Sequence, residues 1–187
     1  MTKIFDAQKE CTFTDTKIMF DTNVWIAIDG NDPRSVLKCY SNYYSGVIKN
    51  GNTIVVNDYI LSEYFNRACK IEYDILFPPK DKRPHFKQAR NQTELKERIE
   101  SIRDTCLNIL DECEYVPAVT KYLNMSDLIK ETSEGRIDFS DVVIREQCKR
   151  EGYVLVSHDG DFANCGLQFV TANKKCLMAI QAPKAKA

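Results

Sequence analysis

Asp21, Glu63, Asp138, Asp141, Asp159 and Asp161 are the residues of this sequence best suited to shared chemistry. Asp21 follows the apolar run Ile18-Met19-Phe20 and is followed by Thr22-Asn23-Val24-Trp25. Asp138 and Asp141 lie in Ile137-Asp138-Phe139-Ser140-Asp141-Val142-Val143-Ile144, and Asp159 and Asp161 in Ser157-His158-Asp159-Gly160-Asp161-Phe162. Carboxylates drawn into one pocket repel at neutral pH unless they are protonated or hold a cation. An all-oxygen donor set suits Mg²⁺ or Mn²⁺ rather than zinc, and the 2 histidines, His85 and His158, are too few for a histidine-based zinc site. The chemistry natural to such a site is phosphodiester hydrolysis, in which the metal activates a water and stabilises the leaving oxygen. Each acid also has a plainer role. Asp21 suits a strand-end turn, Glu63 an i,i+4 pair with Arg67, and Asp138 the N-terminal end of a helix dipole. Asp159 and Asp161 suit a turn around Gly160. Asp141 is the most telling, because the apolar Val142-Val143-Ile144 beside it should carry its carboxylate toward a sheet.

Hydrophobic periodicity supplies the elements that would position these acids. A buried strand runs from about Lys17 to Asp21, with Thr22-Asn23 as a turn and Asn23 placed to orient a neighbouring carboxylate. A helix is expected after Asp32-Pro33, with Asp32 as cap and Val36, Leu37, Tyr40, Tyr44 and Val47 along one side. Thr53–Val56 reads as a second buried strand. Asn57-Asp58 should cap a helix to about Lys70, with Ile60, Leu61, Tyr64, Phe65 and Ala68 on its buried face. Prolines interrupt 73–93, where Lys80, Lys82, Arg83, Lys87 and Arg90 are interleaved with Phe77, His85 and Phe86. A long helix from about Thr93 to Glu112 should bury Leu95, Ile99, Ile102, Cys106, Ile109 and Leu110. An edge strand near Glu114–Val119 is limited by Pro117. A helix at about 121–132 follows, and then one carrying Asp138 and Asp141 and stopped by Gly152. Tyr153–Ser157 and Gln168–Thr171 are further strands. Strands alternating with helices predict an α/β fold with a mostly parallel sheet, whose functional strand ends share one edge. Residues 1–16 are expected to form an arm, ordered only where something holds it, and 176–187 a frayed tail.

The 187 residues suffice for one domain with a full core. A net charge of −1 provides no global attraction for polyanions, so any nucleic-acid contact must be local. No apolar run reaches the length of a bilayer span or a signal peptide, so a cytoplasmic protein with no membrane partner is expected. The 8 cysteines form no C-x-x-C pair and mostly fall within periodic segments, as free thiols in a reducing compartment would.

In MFDTNVW, NDYILSEYFNRA and DFSDVVIREQCKREGYVLVSHDGDF, the chain resembles the PIN-domain ribonucleases, a family that includes toxins of toxin–antitoxin pairs. The last block is the most specific, with an acid on a helix, a buried strand and then Ser-x-Asp-x-Asp-Phe. The resemblance covers about residues 17–172 and implies a three-layer α/β/α sandwich with a domain spanning 17–175, elaborated at 73–112. It implies Asp21, Glu63, Asp141 and Asp159 as catalytic acids. The metal would be Mg²⁺ or Mn²⁺, with Asp21, Asp141, Asp159, Asp138 and Asp161 as its candidate ligands. Asn23 and Ser157 would be polar supports. Which of Asp159 and Asp161 is the fourth acid stays open. RNA is the implied substrate, with an antitoxin protein or a second copy of the chain as protein partner. Lys82, Arg83, Lys87 and Arg90 could hold phosphates while Phe77 or Phe86 stacks on bases, or the stretch could be a solvated loop with tucked aromatics. His158 reads as a rim contact or a turn residue.

The expected function is therefore a metal-dependent endoribonuclease. A catalytically inactive PIN-like module that binds RNA or protein is the alternative, motivated by the modest case for Glu63. A phosphatase of the haloacid-dehalogenase type would need a second aspartate two positions after Asp21, where this chain has Asn23.

Overall fold

The computed structural model describes residues 1–29, 35–78 and 83–181, with backbone alone at 35, 36 and 179–181. The strands are β1 (Lys3–Asp6), β2 (Lys17–Phe20), β3 (Thr53–Val56), β4 (Glu114–Tyr115), β5 (Val154–Val156) and β6 (Gln168–Thr171). The helices are α1 (Thr22–Ile28), α2 (Cys39–Lys49), α3 (Asp58–Leu76), α4 (Phe86–Ala89), α5 (Thr93–Glu112), α6 (Met125–Ser133), α7 (Phe139–Glu151) and α8 (Lys174–Gln181). The strands form one sheet in the order β1-β6-β5-β2-β3-β4, and every pairing is parallel. With its helices the sheet makes a three-layer α/β/α sandwich.

Ile18, Met19, Phe20, Ile54, Val55, Val56, Val154, Leu155 and Val156 are all buried, as strands covered on both faces must be. Each large apolar side chain removed from water contributes roughly 1.5–3 kcal/mol before its ordering cost. Beside the sheet, Phe20, Trp25 and Tyr44 form an aromatic cluster with ring centroids 5.8–5.9 Å apart. The topology turns at β2, since β3 lies on one side of it and β5 on the other. Such a reversal leaves a crevice at the carboxyl ends of the two strands. The β2–β5 register sets Phe20 opposite Val156, so Asp21 and Ser157 leave the sheet side by side.

Several local expectations change. Residues 3–6 of the expected arm are an edge strand on β6, and the chain after it is held by side chains from the end of α2. Asn50 Nδ2 donates to the Cys11 carbonyl at 2.6 Å, and Asn52 Nδ2 to that of Phe13 at 2.8 Å. Thr22-Asn23 is the first turn of α1 rather than a loop, because Asp21 caps that helix. α3 continues past Lys70 to Leu76, and α4 forms within the proline-rich stretch. The helix expected at 121–132 is a 3₁₀ turn, Val119–Tyr122, followed by α6. Leu110, expected on the buried stripe of α5, is 38% exposed. α8 covers the start of the expected tail. The Asp32-Pro33 helix start lies outside the described residues.

Other expectations match. β4 is the edge strand, the cysteines are free thiols, and Gly152 ends α7 in the left-handed region at φ 73°, a conformation glycine adopts without strain. No helix among the described residues is long and apolar enough to cross a membrane.

Candidate active site

Asp21 emerges from β2 almost fully buried, at 3% exposure, and the parallel β2–β5 register sets it beside Ser157. One carboxylate oxygen, Oδ1, accepts the Thr22 N–H at 2.6 Å, which starts α1. The other, Oδ2, accepts from Ser157 Oγ at 2.6 Å and from the Asn23 amide. Ser157 Oγ in turn accepts from Asn23 Nδ2 and from the Asp159 N–H, both at 3.0 Å. Asn23 Oδ1 accepts the His158 N–H at 2.9 Å. The end of β2 and the loop after β5 are thus tied into one hydrogen-bonded unit around a single carboxylate. Burial pushes the Asp21 carboxyl up to about 6; Ser157 and Thr22 oppose the rise, while the charges of Glu63 and Asp159 add to it.

Asp141 stands in the first turn of α7, half-buried. Its carboxyl is raised to about 8, first by burial and then by the charges of Asp21, Asp159, Glu63 and Asp138. The fold therefore brings those acids into electrostatic contact across four separate chain segments. Asp138 is the exposed cap residue of α7 and makes no side-chain capping bond. Asp159 caps the following 3₁₀ turn, accepting the Asp161 N–H at 3.0 Å. Asp161 is exposed, and its carboxyl is raised by burial and by Asp159 and Asp138. The charge of Asp159 adds to the rise at both Asp21 and Asp141.

Glu63 forms the i,i+4 pair expected of it, Oε1 to Arg67 Nη1 at 3.3 Å, and also lies within electrostatic reach of the other acids. Among the described residues no three His, Cys, Asp or Glu side chains form a ready-made ion site. The donor chemistry nevertheless suits a hard cation, since the acids are all oxygen ligands and their mutual repulsion is what a bound positive charge would relieve. Two clefts meet here. A polar one of about 240 Å³ is lined by Asn23, Arg67, His158, Asp159, Gly160 and Asn173. A shallower one of about 500 Å³ runs along α3 past Glu63, Arg67 and Lys70 to Ser140.

The basic stretch divides. Lys82 lies outside the described residues. Arg83 is committed to Asp74 at 2.9 Å and lies over the Tyr73 ring. Lys87 and Arg90 instead border a separate cleft of about 590 Å³ with Lys96 and Arg103, floored by Phe65 and Ile99. Phe77 and Phe86 pack on Tyr73, with centroids 5.5 and 5.3 Å away, so they serve a small satellite core.

Several residues of the neighbourhood escaped the sequence reading. Tyr40, read as one of an apolar stripe, is fully buried with its hydroxyl 3.0 Å from His158 Nδ1 and accepting the Ala172 N–H at 2.9 Å. Asn173 Nδ2 donates to the His158 carbonyl at 2.9 Å. Asn57, the expected cap, is buried and does cap α3 through the Ile60 N–H at 2.9 Å, but its second bond, donated to Gln147 Oε1 at 2.8 Å, had no signal at Asn57 itself. Gln147 carried one available signal: it is a polar residue on the apolar face of α7.

A family model described as PIN domain matches residues 18–166. No curated protein matches the chain. Among solved structures, the fold is similar to that of VapBC2 from Rickettsia felis, crystallised bound to a DNA fragment from their promoter. That likeness has 19% identity and a TM-score of 0.51, covering 82% of this chain and 97% of the other. PAE2754 from Pyrobaculum aerophilum aligns with 12% identity and a TM-score of 0.45, over 93% of this chain and 98% of its own.

Proposed function

The chain belongs to the PIN-domain family, and from that premise we propose that it is a metal-dependent endoribonuclease that hydrolyses RNA phosphodiester bonds. The observation that carries the reading is the electrostatic convergence of Asp141 with Asp21, Asp159 and Glu63. Asp21, Asp141 and Asp159 would hold Mg²⁺ or Mn²⁺, with Glu63 as the remaining catalytic acid and Asp138 and Asp161 at the margin. When bound, the ion supplies a water of lowered pKa and neutralises charge at the phosphate. Ser157 and Asn23 fix the orientation of Asp21, so that its carboxylate is presented without rotamer search. Lys87 and Arg90, on the rim of the larger cleft, would contact flanking phosphates of the RNA, together with Lys82. Arg83 contributes less, being paired with Asp74.

Purified protein with Mn²⁺ should cleave single-stranded RNA, and Asp21→Asn or Asp141→Asn should each reduce the rate by about 10³-fold or more, as loss of an ion-binding or charge-stabilising group does. Cleavage that survived both substitutions would overturn the proposal.

An inactive PIN-like module binding RNA or protein is the second reading, favoured by the Glu63–Arg67 pair. Calorimetric titration with Mn²⁺ separates the two, because a decayed pocket should show no carboxylate-dependent binding. If the protein is the toxin of a toxin–antitoxin pair, a small adjacent reading frame should encode its antitoxin.

A further inference from the structure

We infer that Arg67 is a phosphate-binding residue of the substrate site, and that its ion pair with Glu63 is the resting form of a side chain that transfers to RNA when substrate arrives. The inference rests on the nuclease reading above. Arg67 is the residue common to the two adjoining clefts: it borders Asn23, His158 and Asp159 in one, and Glu63, Lys70 and Ser140 in the other. A polyanion entering the acid group meets repulsion from several carboxylates, so it needs a cation at the point of entry. Arg67 stands there with half of its side chain exposed.

Its tie to Glu63 is weak. The contact is a single Nη1–Oε1 approach of 3.3 Å, longer than the 2.7–2.9 Å usual for a charge-assisted bond. An exposed pair of this type adds little stability. The guanidinium carries five N–H donors in a planar fork that matches two phosphate oxygens, so most of its hydrogen-bonding capacity is available to a ligand. Lys70, one turn further along α3 and bordering the same cleft, is instead bonded to Asp74 at 3.0 Å. Leaving Glu63 for a phosphate would also release that carboxylate toward Asp21 and Asp141, coupling substrate entry to the approach of the acids.

The test compares wild type, Arg67→Lys and Arg67→Ala in the full chain, after thermal unfolding shows that the variants are folded. Binding of a labelled single-stranded oligoribonucleotide is measured in EDTA across a salt series, and cleavage kinetics with Mn²⁺. Arg67→Ala should weaken binding about tenfold and lower the salt slope by about one, the signature of one lost phosphate contact. It should raise KM with little change in kcat, and Arg67→Lys should recover part of the affinity. Unchanged binding and slope in Arg67→Ala, with wild type cleaving RNA, would overturn the phosphate site alone. A wild type that binds RNA through Arg67 but does not cleave it would overturn the nuclease reading and support the site. Absence of both oligonucleotide binding and cleavage by wild type would overturn both. A purely structural role predicts instead that Arg67→Ala alters Mn²⁺ affinity while RNA binding in EDTA stays constant.

Discussion

Asp141 and Asp21 are held partly protonated by the same two forces, burial and the charges of their fellow acids, and this has a consequence for stability. In the unfolded chain an aspartate ionises near its ordinary value of about 3.9. In the folded chain Asp141 retains its proton up to about pH 8 and Asp21 up to about 6. Between the unfolded and folded values the native state binds more protons, so these residues make stability fall as pH rises, from about 4 to 6 for Asp21 and to 8 for Asp141. In EDTA, the difference in Tm between Asp141→Asn and wild type should be small near pH 4 and grow in favour of the variant toward pH 8. A gain of about 1 kcal/mol corresponds to roughly 2–4 °C in a chain of this size. Differential scanning fluorimetry checks it, and a Tm difference independent of pH would show that the acids do not interact. The residue scale is also where sequence was least informative. Asp21, Asp141 and Asp159 announce themselves by following or adjoining apolar segments, whereas Arg67 and Tyr40 look like ordinary members of helical faces. Their importance comes from what stands opposite them, and helical periodicity carries no information about that.

At the level of elements, buried polar groups tie α3 to α7 and to the segment after β4. Asn57 caps α3 and simultaneously bonds Gln147 of α7, whose amide donates to the Pro117 carbonyl at 3.1 Å. One side chain thus relates the helix carrying Glu63 to the helix carrying Asp141. Removing it sacrifices a cap and strands a buried partner, so Asn57→Ala should destabilise by roughly 2–3 kcal/mol in urea unfolding. The Asn57→Ala/Gln147→Ala double variant should cost less than the sum of the single changes, because the stranded partner is gone. Additive losses would contradict the coupling. Most elements were legible from periodicity, including the buried strands and the long α5. The 3₁₀ turn at Val119–Tyr122 and the extension of α3 to Leu76 were not. Tertiary packing accounts for the longer α3, which is prolonged where Tyr73 gains Phe77, Phe86 and Leu95 as neighbours in a satellite core.

For the whole molecule, the sheet gains its outermost strand from the N-terminus. β1 lies against β6 in parallel, and its Phe5 packs edge-on against Phe13 at 4.9 Å. Deleting residues 1–7 should cost roughly 2–4 kcal/mol of burial, from Ala7 and the partly buried Ile4 and Phe5, and expose the edge of β6 to self-association. Thermal unfolding with light scattering reports both effects, and an unchanged Tm without aggregation would show that β1 is dispensable.

By itself the sequence determined most of the central strands and the longer helices, that the sheet would be mostly parallel, and which acids could meet at its carboxyl edge. These are consequences of local periodicity and of alternating strand and helix, which the chain carries in its order of residues. Tertiary structure alone decided the strand order, with β1 beyond β6 and the reversal at β2 that sets Asp21 beside Ser157. It alone brought Asp159 within electrostatic reach of Asp21 and Asp141, and divided the basic stretch between Asp74 and the cleft beyond. Register and through-space charge depend on which segments become neighbours, and that is fixed only when the core closes.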